Sequence, residues 1–341
     1  MFLPDLVVRG RRVVTPRGTR PAAIHIRGGK IIGVVGYDDV TAGCPVDDAG
    51  EAALLPGLID TFAHLSGGID RATEAAAAGG ITTIVAVPID GMIAREPCSV
   101  DVGFWSHASV DRVNELGAIA ETGVFGFICS PTIEADLRLL MSTVRRLEST
   151  LVVVNDIDGV AVRLCDELRT RTHLQGLPST GVLASLYRAR TAGIPLTAGT
   201  SPRPLTLVDD MHDREARELL WAGLAGGVLQ TIASDRSPLA LSLSATWTEA
   251  RARGYTLDQL AQWMGQSPAR LARLERKGAI EVGYDADLVV FNPDVAVKAA
   301  VTPYLGRPLR GRVERTYLRG ARIYDGATFS PPCGKLLRRR V

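Results

Sequence analysis

Residues 57–88, GLIDTFAHLSGGIDRATEAAAAGGITTIVAVP, decide how the central part of this chain folds. The stretch opens with the apolar run GLIDTFAHL, continues with the alanine-rich RATEAAAAGG and ends with the apolar run ITTIVAVP. Short apolar runs without regular polar alternation are typical of strands buried on both faces, whereas alanine and glutamate favour helix. The stretch is therefore predicted to be a strand, a helix and a second strand, the unit from which parallel sheets are built.

The same unit recurs between Gly57 and about Leu274. Helical segments precede apolar runs at four further places: VNELGAIAETG and VFGFICS, ADLRLLMSTVRRLEST and LVVVND, GVLASLYRARTAG and IPLTAG, EARELLWAGLAGG and VLQTIASD. This repetition predicts an α/β protein whose residues 57–275 form a TIM-type (β/α)8 barrel, which is complete, incomplete or has trimmed loops. A doubly wound sheet is the alternative, but no G-x-G-x-x-G motif follows the first strand.

The two ends of the chain have a different sequence pattern. Residues 5–55 and 276–330 contain short strand-like runs separated by turn residues, with Gly28-Gly29 at a hairpin position. We predict that residues 1–56 and 276–330 pair into one small β-sandwich domain. Residues 331–341 are predicted to be a tail, and its KLLRRR segment is interpreted as solvated.

Composition limits the classes of partner. The 341 residues are 46% hydrophobic and 22% charged, which suits a globular protein of enzyme size with one large core. The net charge is +2 and the basic residues are spread along the chain, which argues against binding to nucleic acid or a membrane surface. Five cysteines without a C-x-x-C pair argue against a disulfide framework, and the N-terminus lacks a signal-peptide pattern. The expected location is the cytoplasm.

Seven segments along nearly the whole chain carry a family resemblance. They are LLPGLIDTFAHL (54–65), CSVDVGFWSHAS (98–109), GVFGFICSP (123–131), GIPLTAGTSPRPLTL (193–207), TIASDRSP (231–238), LSATWTEARARGYTLDQLAQWMGQSPARLARLERKGAIEVGYDADLVVF (243–291) and VTPYLGRPLRGRVERTYLRG (301–320). In this order they resemble the cyclic amidohydrolases, and among these the chain looks most like allantoinase. The segments that follow SDRSP and PRPLTL are shorter than in that family, which predicts a shallower pocket or one closed by another chain.

The resemblance implies a two-metal site at the carboxyl end of the barrel. The family's ligands are two histidines of the first strand, a carboxylated lysine, two later histidines and an aspartate of the eighth strand, which together activate water. At the corresponding positions this chain has Phe62, His64, Ile128, Asn155, Gly176 and Asp235. One imidazole and one carboxylate are too few donors for a metal pair, so no cofactor is expected beyond, at most, one weakly bound divalent ion.

The two remaining donors suggest chemistry without a metal pair. The first and eighth strands of a closed barrel are neighbours, so His64 and Asp235 are predicted to lie within hydrogen-bond or one-water reach. Asp235 could then orient the imidazole in a catalytic acid/base dyad. The structural alternative is that His64 is a histidine at the edge of the core and that Asp235 caps the turn after the last strand.

Four further residues are candidates for substrate binding. Arg203 and Arg236 stand where the family has histidines, and guanidinium groups there could hold a carboxylate or an oxyanion. The alternative is that both arginines face solvent or pair with Asp209 and Asp210. The other two candidates are Asn155 and His173, of which His173 is close enough in sequence to Gly176 to restore a lost ligand.

Three functions follow from these residues. The first is metal-independent ring chemistry, hydrolysis or cyclisation, on a small anionic ureide or cyclic amide. The second is a pseudoenzyme subunit that binds an allantoinase-like partner, and the third is a hydrolase with one weakly held metal. The partners expected are therefore a small anionic ligand and either further copies of the chain or another chain.

Overall fold

The computed structural model of the protein describes residues 3–65, 67–87, 98–156, 159–177, 180–207 and 211–339. Its strands are β1 (Leu6–Thr15), β2 (Gly18–Arg27), β3 (Lys30–Val35), β4 (Val46–Asp48), β5 (Ala53–Pro56), β6 (Leu58–Ala63), β7 (Ile81–Ala86), β8 (Asp101–Phe104), β9 (Ser106–His107), β10 (Phe127–Cys129), β11 (Leu151–Val154), β12 (Thr172–Gln175), β13 (Leu196–Thr200), β14 (Thr231–Ile232), β15 (Leu288–Lys298), β16 (Pro308–Leu318) and β17 (Ala321–Tyr324). Its α-helices are α1 (Ile69–Ala78), α2 (Leu116–Glu121), α3 (Glu134–Arg146), α4 (Val160–Leu168), α5 (Leu183–Thr191), α6 (Pro202–Thr206), α7 (Met211–Ala225), α8 (Ser242–Ala252), α9 (Leu257–Ala261) and α10 (Ser267–Leu271). Short 3₁₀ helices lie at Val110–Glu115, Thr180–Val182 and Leu239–Leu241, and a π-helical turn at Gln262–Gln266 joins α9 to α10.

One eight-stranded sheet joins the two ends of the chain. Its order is β17-β16-β15-β5-β1-β2-β3, with β4 paired to β1. The two halves meet where β5 and β15 pair antiparallel. The β2–β3 hairpin turns at Gly28 and Gly29, whose φ angles of 54° and 76° are left-handed and strain residues with a Cβ. The boundaries at residues 56 and 275 stay predictions.

The central strands form two parallel sheets, which confirms the predicted α/β class. One sheet has six strands in the order β14-β13-β12-β11-β10-β9, and the other has three in the order β6-β7-β8. The edge strand β8 of the three-stranded sheet and the edge strand β9 of the six-stranded sheet are separated only by Trp105. At the opposite edges of the same two sheets, which are β6 and β14, an isolated parallel bridge pairs Ala63, the last residue of β6, with Asp235, which follows β14.

Buried side chains of these strands, of residues next to the strand ends and of the end of α10 form an interior cluster. Its buried members are Phe62, Val85, Val87, Trp105, Phe125, Ile128, Val152, Ala233, Leu271 and Ala272. The Trp105 indole nitrogen donates to the Thr61 carbonyl oxygen at 2.7 Å, which ties the third strand segment to the first. The opposite faces of the strands pack against the helices in a larger apolar core. None of the helices in the described parts of the chain combines the length and apolar character needed to span a membrane.

A buried ionic network lies where β8 begins and meets the eight-stranded sheet. The Lys277 ammonium lies 2.6 Å from Asp287, 2.9 Å from Asp101 and 3.3 Å from Asp285, with 7% of its side chain exposed. Arg319 donates to both carboxylate oxygens of Asp101 at 2.7 and 2.6 Å. Burial alone lowers the pKa of Lys277, but the three carboxylates raise it above its usual value. The network therefore joins segments that are far apart in sequence.

The C-terminal tail is only partly solvated, which corrects the interpretation of KLLRRR: Lys335 and Arg338 are exposed, whereas Leu336, Leu337 and Arg339 are half-buried. Residues 334–339 lie along the start of β8, where the Val102 amide donates to Lys335 at 2.9 Å and the Leu337 amide donates back to Val102 at 2.7 Å. Leu337 packs against the interior cluster. The Arg339 guanidinium donates to the Ser149 hydroxyl at 2.9 Å. A run of basic residues looks solvated in sequence, but backbone pairing and the apolar Leu337 decide its position.

Candidate functional site

The candidate site lies at the carboxyl ends of the strands and is centred on His64 and Asp235. His64 Nε2 and Asp235 Oδ1 are 3.2 Å apart, and their side chains are 27% and 39% exposed. The bridge between Ala63 and Asp235 brings the two chain segments together. Asp235 has a left-handed φ of 53°, a conformation that aspartate tolerates better than most residues and that often occurs at functional sites. The contact is therefore accessible and held by backbone pairing, whereas the catalytic role of the two residues stays a prediction.

Asp60 is a positioning residue that the sequence analysis missed. Its buried carboxylate accepts hydrogen bonds from the backbone amides of Phe62 and Ser234, both at 2.9 Å. Burial raises the pKa of the Asp60 carboxyl, while the amide donors lower it. Because Ser234 precedes Asp235, Asp60 fixes the backbone of one dyad residue to the strand that carries the other. The signal was present in the sequence, since Asp60 is the aspartate that opens the DTFAH motif.

The residues at this site do not fit a pair of metal ions. Phe62 and Ile128 are 5% and 4% exposed and pack in the interior cluster, where neither side chain offers a lone pair. The Phe62 ring packs edge-on against His64, with 5.5 Å between the ring centroids. Within the described ranges, no three His, Cys, Asp or Glu side chains come together in a group that could hold a metal ion. Among the residues that the structure describes here, His64 and Asp235 are too few donors for a binuclear centre.

His173 lies inside the strand layer and not at its accessible end. The residue is 1% exposed, and its Nδ1 is 2.9 Å from the Thr197 hydroxyl. Its Nε2 is 3.2 Å from Gln175 Oε1 and 3.5 Å from the Thr231 hydroxyl. With both ring nitrogens occupied, a ligand would have to displace buried partners to reach His173. Its assignment to substrate binding stays a prediction, and the geometry supports a role in the internal packing of β12–β14.

Burial of this histidine predicts acid sensitivity. Burial lowers the pKa of His173 from 6.5 to about 4. Between these values the unfolded chain binds a proton that the folded chain does not, so the stabilisation is complete above pH 6.5 and is lost as the pH falls. We expect the free energy of unfolding to drop by about 2 kcal/mol from this residue between pH 7 and pH 5. Urea denaturation of the wild type and of His173→Gln, which cannot titrate, measures it. Equal pH slopes for the two proteins would contradict the assignment.

The other predicted binding residues are spread around the carboxyl-end face. Asn155 is exposed, has a left-handed φ of 56° and donates from Nδ2 to the Ser130 hydroxyl at 3.4 Å. Arg236 is exposed and follows Asp235 directly. Arg203 is exposed on α6 and lines a cavity against α7 whose lining includes neither His64 nor Asp235. Asp209 and Asp210, offered by the sequence as partners of these arginines, lie outside the described residues.

Comparison with known proteins identifies relatives over the whole chain. A model of the amidohydrolase family matches residues 166–321. An allantoinase of Streptomyces avermitilis is 34% identical over 439 residues, covering 98% of this chain and 99% of the relative. An allantoinase of Arabidopsis thaliana is 26% identical, covering 96% of this chain and 90% of the relative. The first alignment is longer than the 341 residues of this chain, so that relative contains segments that this chain lacks.

Solved structures show the same fold. An L-hydantoinase from Arthrobacter aurescens superposes with a TM-score of 0.90 at 20% identity, covering 99% of this chain and 100% of that chain. A dihydropyrimidinase from Brevibacillus agri superposes with a TM-score of 0.87 at 20% identity, covering 98% of each chain. The predicted resemblance is confirmed. The chain belongs to the amidohydrolase family, and the relatives named above from Streptomyces avermitilis and Arabidopsis thaliana are allantoinases.

Proposed function

We propose that the protein performs acid/base ring chemistry on a small anionic ureide or cyclic amide without a binuclear metal centre. The observation that carries the proposal is the 3.2 Å contact between the partly exposed His64 and Asp235, at the place where the family supplies metal ligands. We also propose that the two parallel sheets close into one (β/α)8 barrel, in which β8 and β9 are one barrel strand interrupted at Trp105. Both facing pairs of sheet edges support this closure, through the Ala63–Asp235 bridge and the single residue between β8 and β9.

The contact assigns distinct roles to the two ring nitrogens of His64. Nε2 faces the Asp235 carboxylate, so that a proton on Nε2 can be held there, and Nδ1 is then the basic nitrogen. Nδ1 takes a proton from water as the water oxygen bonds to the ring carbonyl carbon. The C–N bond then breaks, and the same proton passes to the departing nitrogen. One water is consumed, a carboxyl group and an N–H are formed, and the reverse sequence closes the ring.

Asp235 and a nearby cation complete the chemistry. The Asp235 carboxylate stabilises the imidazolium that forms after proton transfer, and it keeps the ring in one orientation. Arg236, the next residue and an exposed one, is the guanidinium assigned to the anionic group of the substrate. Asp60 holds the Ser234 amide and so limits movement of Asp235 relative to His64.

The test is turnover by protein from which metal has been removed. Purified protein is dialysed against EDTA, its metal content is measured by mass spectrometry, and five- and six-membered cyclic ureides and imides are assayed for ring opening and closure. We expect the dialysed protein to contain well below one metal ion per chain. We also expect it to turn over at least one of these compounds as fast as it did before dialysis. Activity that disappears with the chelator and returns with zinc would overturn the proposal.

A second candidate is a binding subunit without catalysis. It is favoured by the packing of Phe62 and Ile128, which fills donor positions of the family with buried apolar side chains. In this case the protein binds a cyclic ureide, measured by calorimetry, but turns over none of the panel. It also co-purifies with an active amidohydrolase when both are expressed together.

A further inference from the structure

A cavity of about 410 Å³ lies between α6, α7 and the turn at residues 303–307. Arginines come to it from three different segments: Arg203 from α6, Arg217 from α7 and Arg307 from the turn. Asp213 is the one carboxylate among the residues that line the cavity in the described part of the chain.

The three arginines differ in how far their charge is balanced. Arg217 lies 3.2 Å from Glu218 and 3.8 Å from Glu249, and its side chain is only 18% exposed. Arg203 and Arg307 are exposed, and neither forms an ion pair with another residue that the structure describes. The cavity wall therefore presents two guanidinium groups, those of Arg203 and Arg307, whose charge is not neutralised by an ion pair with a described residue.

Two buried hydrogen bonds hold the walls of the cavity in place. The Tyr304 hydroxyl, on a residue that is 1% exposed, lies 3.0 Å from the Thr206 hydroxyl and fixes the turn to α6. The Trp221 indole nitrogen donates to the Leu205 carbonyl oxygen at 3.2 Å and fixes α7 to α6. Arg203 and Arg307 are therefore carried by backbone that is already positioned, which lowers the entropic cost of binding a ligand between them.

We propose that this cavity binds a small organic anion with two carboxylate groups. Planar guanidinium groups match carboxylates through paired N–H donors, and two such groups suit two carboxylates. The volume lies in the range of small-molecule sites and exceeds what a single inorganic anion fills. Leu207, Leu220 and Pro303 supply apolar lining for the carbon chain of the ligand. Neither His64 nor Asp235 lines this cavity, and the proposal does not depend on the proposed reaction.

The test is calorimetric titration of the full chain with malonate, succinate and glutarate, with inorganic phosphate as a further arm. We expect saturable binding of at least one dicarboxylate, weakened about 10-fold or more in Arg203→Gln and in Arg307→Gln because each removes a charge-assisted pair. Arg145→Gln, at an exposed arginine of α3 outside the cavity, is the matched control and should bind as the wild type does. His64→Asn should also retain binding.

Three outcomes would overturn the proposal. One is equal binding by the wild type and both cavity variants, and another is no dicarboxylate binding by a wild type whose folding is verified by circular dichroism. The third is phosphate binding as tight as that of every dicarboxylate, because it would mean that the cavity recognises charge alone.

Discussion

Replacing Lys277 by methionine is expected to destabilise the protein by about 3–5 kcal/mol, the usual cost of leaving a buried charge without its partner. The ammonium lies among the carboxylates of Asp101, Asp285 and Asp287, at 2.6 to 3.3 Å. Methionine fills a similar volume but donates no hydrogen bond, so the carboxylates would repel one another or take up protons. The free energy of unfolding from urea denaturation at pH 7 measures the loss.

A matched control separates the buried charge from the loss of any lysine. Lys298→Met removes an exposed lysine of β15, and we expect a change within about 0.5 kcal/mol. Adding Asp287→Asn to Lys277→Met should recover part of the loss, because it removes one of the unpaired charges, whereas Asp287→Asn alone should destabilise. If Lys277→Met lowers the free energy of unfolding by less than about 1 kcal/mol, the network does not hold the start of β8 to the eight-stranded sheet.

The fold could be predicted to the extent that local pattern determines it. The apolar runs ITTIVAVP and LVVVND stand out in sequence and form β7 and β11. The strand β12 was harder to recognise, because three of its four buried residues, Thr172, His173 and Gln175, are polar. Its polar side chains satisfy one another across β12–β14, an arrangement that no single segment reveals.

Contacts over long sequence distances explain what the sequence did not reveal. The expected adjacency of the first and eighth strands was enough to predict that His64 and Asp235 meet, and the bridge between Ala63 and Asp235 brings these two segments together. The ionic network is different, since Arg319 and Asp101 are 218 residues apart and no periodicity connects them. The tail and the arginine cavity likewise depend on which surfaces pack together. Arg203 is a candidate for substrate binding in the sequence because a guanidinium stands where the family has a histidine. The packing of α6 on α7 decides where Arg203 lies.

Replacing His64 by asparagine is expected to lower the turnover number by about 10²- to 10⁴-fold with little change in KM, because general acid/base groups act in the transition state. Asp235→Asn should cost less, since it leaves the base in place and removes its orienting charge. The double variant should be about as slow as His64→Asn alone, because the two side chains act as one unit. Steady-state kinetics of the chelator-treated proteins on a cyclic substrate from the panel measure these effects.

Chemical rescue distinguishes a catalytic from a structural role of His64. In His64→Gly the lost imidazole leaves a space beside Asp235, and added imidazole should restore part of the turnover with a dependence on pH that follows the free base. His25→Asn, at a histidine of β2 in the eight-stranded sheet, should leave turnover unchanged. If neither dyad substitution slows ring chemistry, or if the losses in the double variant simply add, the two residues do not act as an acid/base pair. The 3.2 Å contact would then be a structural contact between the segments that follow β6 and β14.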